Sequence, residues 1–311
     1  MRRIPRSVAL VLLVVVAAAA VGLRLFVGSE GANVGRAILL EYRLPGAVLA
    51  FLAGASLAVS GACFQGLFRN SLADPFVVGV SGGAALGAVA SIVFGLLMAT
   101  ASAFAGGLAA AFLAYQLARV RGRVSVESLL LSGSAIGAFA GALVSVLLLR
   151  HSQNWNEVIT WLMGSLERAD PWDRVKVIAP CLAASAAVMA VHARELNLLL
   201  LGEESAAQLG VEAERVKRVL LAAGSIAAAG AVATCGMIGF VGLIVPHVAR
   251  RLVGPDHRTL LPVTLLGGGT FLVLADVVSR LATGGAPLPI GAVTALAGAP
   301  FFVALLRRKS S

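Results

Sequence analysis

The sequence gives little support for a site that could hold the phosphates of a nucleotide. The chain has 311 residues and three lysines: Lys176, Lys217 and Lys309. A phosphate-binding loop has the pattern GxxxxGK[ST], in which backbone amides and the lysine hold the phosphates. Lys309 precedes a serine, but the residues before it do not fit this pattern. We therefore predict that this chain does not itself hydrolyse ATP by that mechanism.

Few ionisable side chains lie inside the long apolar runs, where such groups are costly and mark ion pathways. Asp276 precedes Arg280 by four residues, a spacing that predicts an ion pair on one helix face rather than a proton carrier. His192 lies near the end of an apolar run. His247 follows Pro246, and we expect its ring to hydrogen-bond backbone groups that the proline frees. A proton-coupled carrier remains an alternative.

Hydrolytic and metal chemistry are also unsupported. HExxH is absent, and no pair of carboxylates lies within one apolar run to act as acid and base. Cys63, Cys181 and Cys235 lie in apolar blocks without CxxC spacing, which is typical of small buried residues rather than of disulfides or metal ligands. We predict no catalytic residue, no metal site and no cofactor bound by this chain, and therefore no enzyme.

The amino-acid composition indicates a membrane protein. Hydrophobic residues make up 59% of the chain and charged residues 13%, and the mean hydropathy is +0.93. A soluble protein could not keep so much apolar surface from water. Each crossing of roughly 30 Å of hydrocarbon takes about 20 residues of helix. We predict one all-α domain, residues 1–311, with about ten membrane helices. These are Val8–Val27, Ala47–Leu67, Phe76–Leu97, Ala99–Ala118, Val126–Leu149, Val175–Ala193, two undivided helices in Val219–Leu252, Leu261–Val278 and Ile290–Leu306.

Basic residues stand at both ends of the chain, with Arg2, Arg3 and Arg6 at the start and the tail from Arg307 to Lys309 at the end. An even number of helices puts both termini on one side, and the bias of basic residues towards the cytoplasm makes that side the cytoplasmic one. The net charge of +10 is then an orientation signal. We predict a multi-pass protein surrounded by lipid, with both termini cytoplasmic and no nucleic-acid partner.

A polar segment, about 194–218, joins the sixth and seventh predicted helices. From Glu203 to Leu209 it has good helix formers, with acidic residues in the first turn where the helix dipole favours them. Gly210 stands where a helix would stop. We predict a short helix outside the membrane. Two roles remain open for it: a solvated connector, or a lever on which a cytosolic partner pushes.

Glycines recur at four-residue spacing at the start of the third predicted helix. Gly79, Gly83 and Gly87 would share one helix face, and a face of small residues lets membrane helices approach closely. We therefore predict a packing surface there rather than a phosphate-binding loop.

Five long stretches of the sequence match the pattern of a known family and follow one another in the same order as in that family. They are YRLPGAVLAFLAGASLAVSGACFQGLFRNSLADPFVVGVSGGAALGA from Tyr42, LGEESAAQLGVEAERVKR from Leu201, GFVGLIVPHVARRLVGPDHRTLLP from Gly239, LADVVSR from Leu274 and LPIGAVTALAGAPFFVALL from Leu288. Together they resemble the permease subunits of ABC importers for iron-siderophore complexes, haem and cobalamin. The likeness covers nearly the whole chain from Tyr42 onwards.

The resemblance implies an assembly in the cytoplasmic (inner) membrane of a prokaryote. Its partners would be a second copy of this chain or a close paralogue, two cytosolic ATPase subunits that hold ATP and Mg, and an extracytoplasmic substrate-binding protein. It also implies two inverted helical repeats. The short helix would be the coupling helix that sits in a groove of the ATPase. Its matching residues are Gly202, Glu203, Glu204, Ser205, Gln208, Leu209 and Gly210.

The resemblance further implies that arginines at the outer ends of two helices receive carboxylates from the binding protein, as charge-steered docking requires. The matching residues here are Arg43 and Arg280. Two positions depart from the family pattern. Gly46 replaces a second arginine, and Pro287 stands where an acidic residue usually precedes LP.

The segment FRNSLADP, from Phe68, is expected at the cytoplasmic mouth. Asp74 can cap the following helix, with Pro75 in its first position. By resemblance, Asn70 and Leu72 narrow the inner end of the path as a cytoplasmic gate. The family usually has proline at the position of Ser71.

These observations predict a permease subunit of an ATP-driven importer that moves a metal chelate by alternating access. A ferric siderophore or cobalamin is favoured over haem. The alternatives are a proton-coupled carrier and an ABC permease for another cargo, including an exporter.

Overall fold

The structure is a computed structural model that describes residues 6–27, 35–96, 98–120, 123–151, 153, 155–167, 170–283 and 287–309. Arg2, Arg3 and Leu97, which the predicted topology uses, lie outside the described residues. The helices are α1 Arg6–Phe26, α2 Arg36–Ile38, α3 Leu44–Leu67, α4 Val80–Val93, α5 Ala99–Ala118, α6 Val126–Arg150, α7 Trp155–Leu162, α8 Pro171–Val191, α9 Ala193–Leu199, α10 Glu203–Gln208, α11 Ala213–Cys235, α12 Val241–Val253, α13 His257–Thr283 and α14 Ile290–Lys309. Two short strands, β1 Arg119–Val120 and β2 Arg123–Val124, pair antiparallel.

The all-helical membrane fold is confirmed. Seven described helices are long and apolar enough to cross a membrane, and one of these runs unbroken from Arg36 to Leu67 through a π turn at Leu39–Arg43. Two shorter described helices, α4 and α14, are also apolar, and α12 lies between α11 and α13, so the helix count is roughly compatible with the predicted ten. The undivided block Val219–Leu252 divides where α11 ends. Gly236 and Phe240 have φ angles of 77° and 68°, which lie outside the range of a right-handed α-helix.

Hydrogen bonds between distant segments identify the two ends of the bundle, the α10 end and the end opposite to it. At the α10 end, the Val124 N–H donates to Glu214 at 3.3 Å. At the opposite end, Trp172 donates its indole N–H to the carbonyl of Leu40 at 3.1 Å. Leu10 and Leu13, near the start of α1, pack against Leu260 and Val263 near the start of α13.

Two helices, α3 and α11, form the axis of the bundle. We compare an apolar stretch of 18 residues in each helix. In the helix that contains α3, 83% of these residues are buried, and in α11 78% are buried, against 22% in α1 and in α6. A helix that is apolar all round is buried among others or exposed to lipid. Ser60 of α3 donates to the carbonyl of Gly224 in α11 at 2.8 Å. Cys63 is a buried free thiol, as predicted for a small core residue.

Glycines bring the backbones of α3 and its neighbours into contact. A Cβ on Gly54 would overlap the carbonyl of Gly268 in α13, and a Cβ on Gly61 would overlap the carbonyl of Gly242 in α12. Without a strong hydrophobic force between helices in lipid, close van der Waals contact of this kind holds the bundle together. The packing of α3 therefore depends on these positions having no side chain.

The predicted glycine face of α4 is confirmed for two of its three members. Cβ atoms on Gly83 and Gly87 would overlap backbone carbonyls of α5. Gly79 is different, because its φ of 89° ends a 3-10 turn, Pro75–Val78, just before α4 begins. Residues 79–83 also read GVSGG, which fits the hydrolase pattern GxSxG. Ser81 is buried in the first turn of α4, whereas that pattern needs a turn from strand to helix that exposes the serine.

Candidate functional site

The predicted short helix outside the membrane is present as α10. Gly202 and Gly210 flank it with φ angles of 110° and 83°, conformations that glycine adopts without strain. Ala206 is completely buried and anchors the helix. Gly202 is half-buried, and the other predicted coupling residues are exposed: Glu203, Glu204, Ser205, Gln208, Leu209 and Gly210. A fixed helix thus exposes polar side chains and one large apolar side chain.

Lys217 of α11 joins three elements at the α10 end. Its Nζ lies 2.6 Å from the Glu203 carboxylate of α10 and 3.0 Å from that of Glu214. It also donates to the carbonyl of Val124 in β2 at 3.2 Å. The Lys217 side chain is only 8% exposed. This role of Lys217 was not predicted from the sequence, and the available signal was a lysine near the end of the polar segment 194–218.

A second connection joins α9 to the start of α13. Asn197 donates to Asp256 at 2.6 Å, and its side-chain oxygen accepts the backbone N–H of His257 at 2.9 Å. Burial tends to raise the pKa of Asp256. The hydrogen bonds from the Arg258 N–H and the Asn197 amide, together with the Arg258 charge, outweigh that and lower the pKa below its usual value. Asp256 therefore stays ionised at neutral pH and accepts the hydrogen bond from Asn197 that connects α9 to the start of α13.

The predicted gate residues lie in a tight turn beside α10. Arg69 has a φ of 50°, and the side-chain oxygen of Asn70 accepts the N–H of Leu72 at 3.0 Å. Asn70 is exposed, and Leu72 is half-buried. A Cβ on Gly202 would lie 3.7 Å from the Arg69 guanidinium. The gate turn and the proposed coupling helix are therefore neighbours.

Gln65, one turn before the gate, fixes the end of α3. Its amide donates to the carbonyls of Gly242 and Leu243 at 3.2 and 3.3 Å, and its side-chain oxygen accepts from Arg250 at 2.9 Å. All three partners belong to α12. The turn that holds the predicted gate residues is therefore connected to α12 as well as to α3, a link that the sequence pattern does not indicate.

Asp74 caps the short helix after the gate turn, as predicted. Its carboxylate accepts the Phe76 N–H at 2.9 Å, with Pro75 in the first helical position. The structure adds that this first helix is a single 3-10 turn rather than the start of α4. Burial raises the pKa of Asp74 to about 6, although the hydrogen bond from Phe76 acts in the opposite direction.

The two arginines predicted to dock a binding protein lie at the opposite end, and both are largely buried. Arg43 is 8% exposed and donates to the carbonyl of Leu25 at 2.8 Å. Arg280 is 7% exposed and pairs with Asp276 at 3.1 Å, which confirms the predicted i,i+4 ion pair. Arg280 also pairs with the half-exposed carboxylate of Glu167 at 2.6 Å.

Arg24 of α1 completes this ion cluster, which sequence reasoning missed. Its guanidinium pairs with Asp276, and both side chains are nearly inaccessible. A Cβ on Gly46 would lie 3.3 Å from Nη2 of Arg24. Gly46, noted above as a departure from the family pattern, therefore leaves room for the Arg24 side chain. Among the described residues, the cluster holds two cations and two carboxylates and is close to neutral.

The hydrogen bond expected for His247 is not seen at Nε2. This nitrogen is buried, and it has no hydrogen-bond partner among the described residues. The ring instead meets Phe301 of α14 edge-on, with ring centroids 6.0 Å apart. His192, by contrast, bonds the Val188 carbonyl of its own helix at 2.9 Å. Within the described part of the chain, no group of three or more His, Cys, Asp or Glu side chains could hold a metal ion.

Comparison with known proteins adds independent information. Residues 6–308 match the FecCD transport family. The cobalamin import system permease protein BtuC of Halobacterium salinarum is 50% identical over 268 residues, which cover 85% of this chain and 72% of that protein. The hemin transport system permease protein HmuU of Yersinia pestis is 41% identical over 281 residues, which cover 88% of this chain and 84% of that protein.

The solved structures include a metal-chelate type ABC transporter in an inward-facing conformation. It matches with a TM-score of 0.89 and 32% identity, over 97% of this chain and 99% of the matched chain. The shared architecture therefore extends to α10 and to both ends of the bundle. By sequence and by fold, the chain belongs to the FecCD transport family.

Proposed function

We propose that this chain is the membrane-spanning permease subunit of an ATP-driven importer, which passes a metal chelate across the cytoplasmic membrane of a prokaryote by alternating access. Two cytosolic ATPase subunits would hold ATP and Mg, a second copy of the chain or a close paralogue would complete the path, and an extracytoplasmic binding protein would deliver the cargo. The relatives named above support this assignment, because their names describe the permease of a cobalamin import system and the permease of a hemin transport system.

One observation carries the proposal: α10 is an exposed helix that is fixed to the bundle. Ala206 and Glu203 secure it, while Glu204, Gln208 and Leu209 point outwards. A helix held in this way can receive a push from a docked ATPase and shift the attached helices as a rigid body. A connector with no partner would not need this anchoring.

Cobalamin is the favoured cargo among the three metal chelates. The relative with 50% identity is named for cobalamin, whereas the relative with 41% identity is named for hemin. A ferric siderophore is the second candidate. The described residues contain no cluster of metal-ligating side chains, and a path without ligands suits an intact chelate that passes through without tight binding.

The gate turn supports alternating access at the α10 end. Leu72 is half-buried, its N–H is held by Asn70, and Arg69 lies beside Gly202 at the start of α10. A movement of α10 would therefore reach this turn directly. We assign Asn70 and Leu72 to the cytoplasmic gate.

Docking of the binding protein is assigned to Arg43 and Arg280 at the opposite end. Both arginines already have partners, and Glu167 is the half-exposed one. An incoming carboxylate would replace Glu167 on Nη1 of Arg280 with little desolvation, because this side of the ion pair already faces water. Complementary charge of this kind mainly sets the rate and the register of docking.

The energy source separates the proposal from a proton-coupled carrier. Vesicles that contain this chain, its ATPase and its binding protein should take up cobalamin when ATP is supplied inside. Removal of the ATPase should abolish uptake, and a protonophore should leave it unchanged. Uptake that survives without the ATPase and falls with the protonophore would identify a secondary carrier. ATP-driven movement of an unrelated cargo only would identify a different ABC permease.

The coupling role of α10 is tested by Glu204→Arg combined with Gln208→Arg. Because both side chains are exposed, the permease should fold normally but lose docking, and uptake should fall about tenfold for each 1.4 kcal/mol of docking free energy lost. Glu127→Arg, at an exposed position in the first turn of α6, is the matched control. Glu203 is avoided because it also binds Lys217. Normal substrate-stimulated uptake in the double variant would refute the assignment.

The gate role is tested by Leu72→Ala, which removes apolar volume from the turn. Vesicles with this variant should leak a small trapped dye when no ATP is present, while Leu72→Met, which nearly preserves volume, should remain sealed. Equal and low leakage from both variants would mean that Leu72 does not close the path.

Docking is tested in two opposite directions. At low salt, Arg43→Glu should weaken the affinity for the binding protein, whereas Glu167→Gln should strengthen it by removing the negative charge that competes for Arg280. Arg150→Glu, an exposed change at the same end, should have a smaller effect. Thermal unfolding of each variant shows whether it is folded. Unchanged affinity in the folded Arg43 and Glu167 variants would remove both arginines from the docking surface.

A further inference from the structure

A groove between α5 and α11 is not used by the proposed transport mechanism. It encloses a cavity of about 330 Å³. Its lining is almost entirely apolar: Leu108, Ala111, Phe112, Leu221, Ala222 and Ile226. Phe112 is 60% exposed, so the groove opens sideways from the bundle rather than into its core. In a membrane, such an opening faces hydrocarbon or another protein.

The groove has a polar mouth at the α10 end. Tyr115 and Arg218 line it there, near the end of α5 and the start of α11. Arg218 donates from Nε to the carbonyl of Glu214 at 3.4 Å. The Glu214 carboxylate instead contacts Lys217 and the Val124 N–H. Among the described residues, Arg218 has no carboxylate within ion-pair distance.

A buried hydroxyl group also lines the groove. Ser225 lies two turns deeper than Arg218 on α11 and is 2% exposed. Its Oγ has no hydrogen-bond partner among the described residues. Apart from this hydroxyl, the lining at this depth is apolar.

We propose that this groove is a binding site for an anionic phospholipid, with one acyl chain between α5 and α11 and the phosphate on Arg218. The apolar lining suits hydrocarbon, and a guanidinium forms paired charge-assisted hydrogen bonds with phosphate oxygens. Tyrosine favours the level of the lipid headgroups, and Tyr115 lies about one turn from the end of α5. Basic pockets between membrane helices on the cytoplasmic side are a known setting for anionic headgroups.

Charge decides between this occupant and a second copy of the chain. An apolar helix that covered the groove would bury Arg218 without a counter-ion, which costs several kcal/mol. A lipid phosphate supplies the counter-ion and remains at the membrane surface. The acyl chain would also secure α5, next to β1, against α11, the helix that carries Lys217. The lipid would therefore stabilise the α10 end of the bundle.

The test uses the purified full-length chain in detergent and native mass spectrometry. Phosphatidylglycerol and phosphatidylcholine with identical acyl chains are the probes, and phosphatidylglycerol should be retained at least about tenfold better. Arg218→Gln should abolish this preference and Arg218→Lys should keep part of it. Arg194→Gln, which changes an exposed arginine of α9 at the same end, should have no effect. Ala222→Trp should fill the groove and reduce retention of both lipids.

Several outcomes would overturn the proposal. These are equal retention of the two lipids, an unchanged preference in Arg218→Gln, and displacement of the lipid by millimolar inorganic phosphate, which would indicate a free-anion site. Disulfide cross-linking of two Phe112→Cys chains would show that a second copy covers the groove. None of these measurements depends on transport, so their failure leaves the proposed importer function standing, and the reverse also holds.

Discussion

The close approach of α3 to its neighbours is the constraint on which the rest of the structure depends. Gly54 and Gly61 place the α3 backbone directly against the carbonyls of Gly268 and Gly242. Because lipid is as apolar as the side chains, burial alone cannot hold α3 in the centre, and tight backbone contact has to do so. Both candidate sites depend on α3: Arg43 precedes its first residue, and the gate turn follows its last.

Polar contacts at the α10 end make separate loops into one body. Lys217, Asn197 and Gln65 each connect elements that lie far apart in the sequence. Lys217 is nearly inaccessible, so a movement that took its carboxylate partners away would leave a buried cation without compensation. The loops therefore cannot move independently at low cost. A displacement of α10 would be passed to α11, to the β1–β2 hairpin and, through the gate turn, to α12.

The sequence predicted what depends on local pattern. The helices, the α10 segment, the Asp276–Arg280 pair and the contacts of Gly83 and Gly87 all follow from spacing over a few residues. It did not predict which apolar helix would be central, because α3 and α6 are both apolar and lipid can replace protein contacts around either. The Arg24–Asp276 pair joins residues 252 positions apart, and no local pattern encodes that choice. The hydrogen bond predicted for His247 is not seen at Nε2, and the ring contacts Phe301, which is distant in sequence.

Lys217 and Arg218 show how helix geometry turns neighbouring cations to different uses. Successive residues on an α-helix point about 100° apart, since 3.6 residues make one turn. Lys217 therefore faces inwards to Glu203 and Glu214, where it is nearly inaccessible. Arg218 faces the groove between α5 and α11 and remains exposed. Lys217 binds the carboxylate of Glu214, which lies one turn before Arg218 on α11 and would otherwise be a counter-ion for it. The ion pairs that connect α10 to α11 therefore also leave a positive charge at the mouth of the groove.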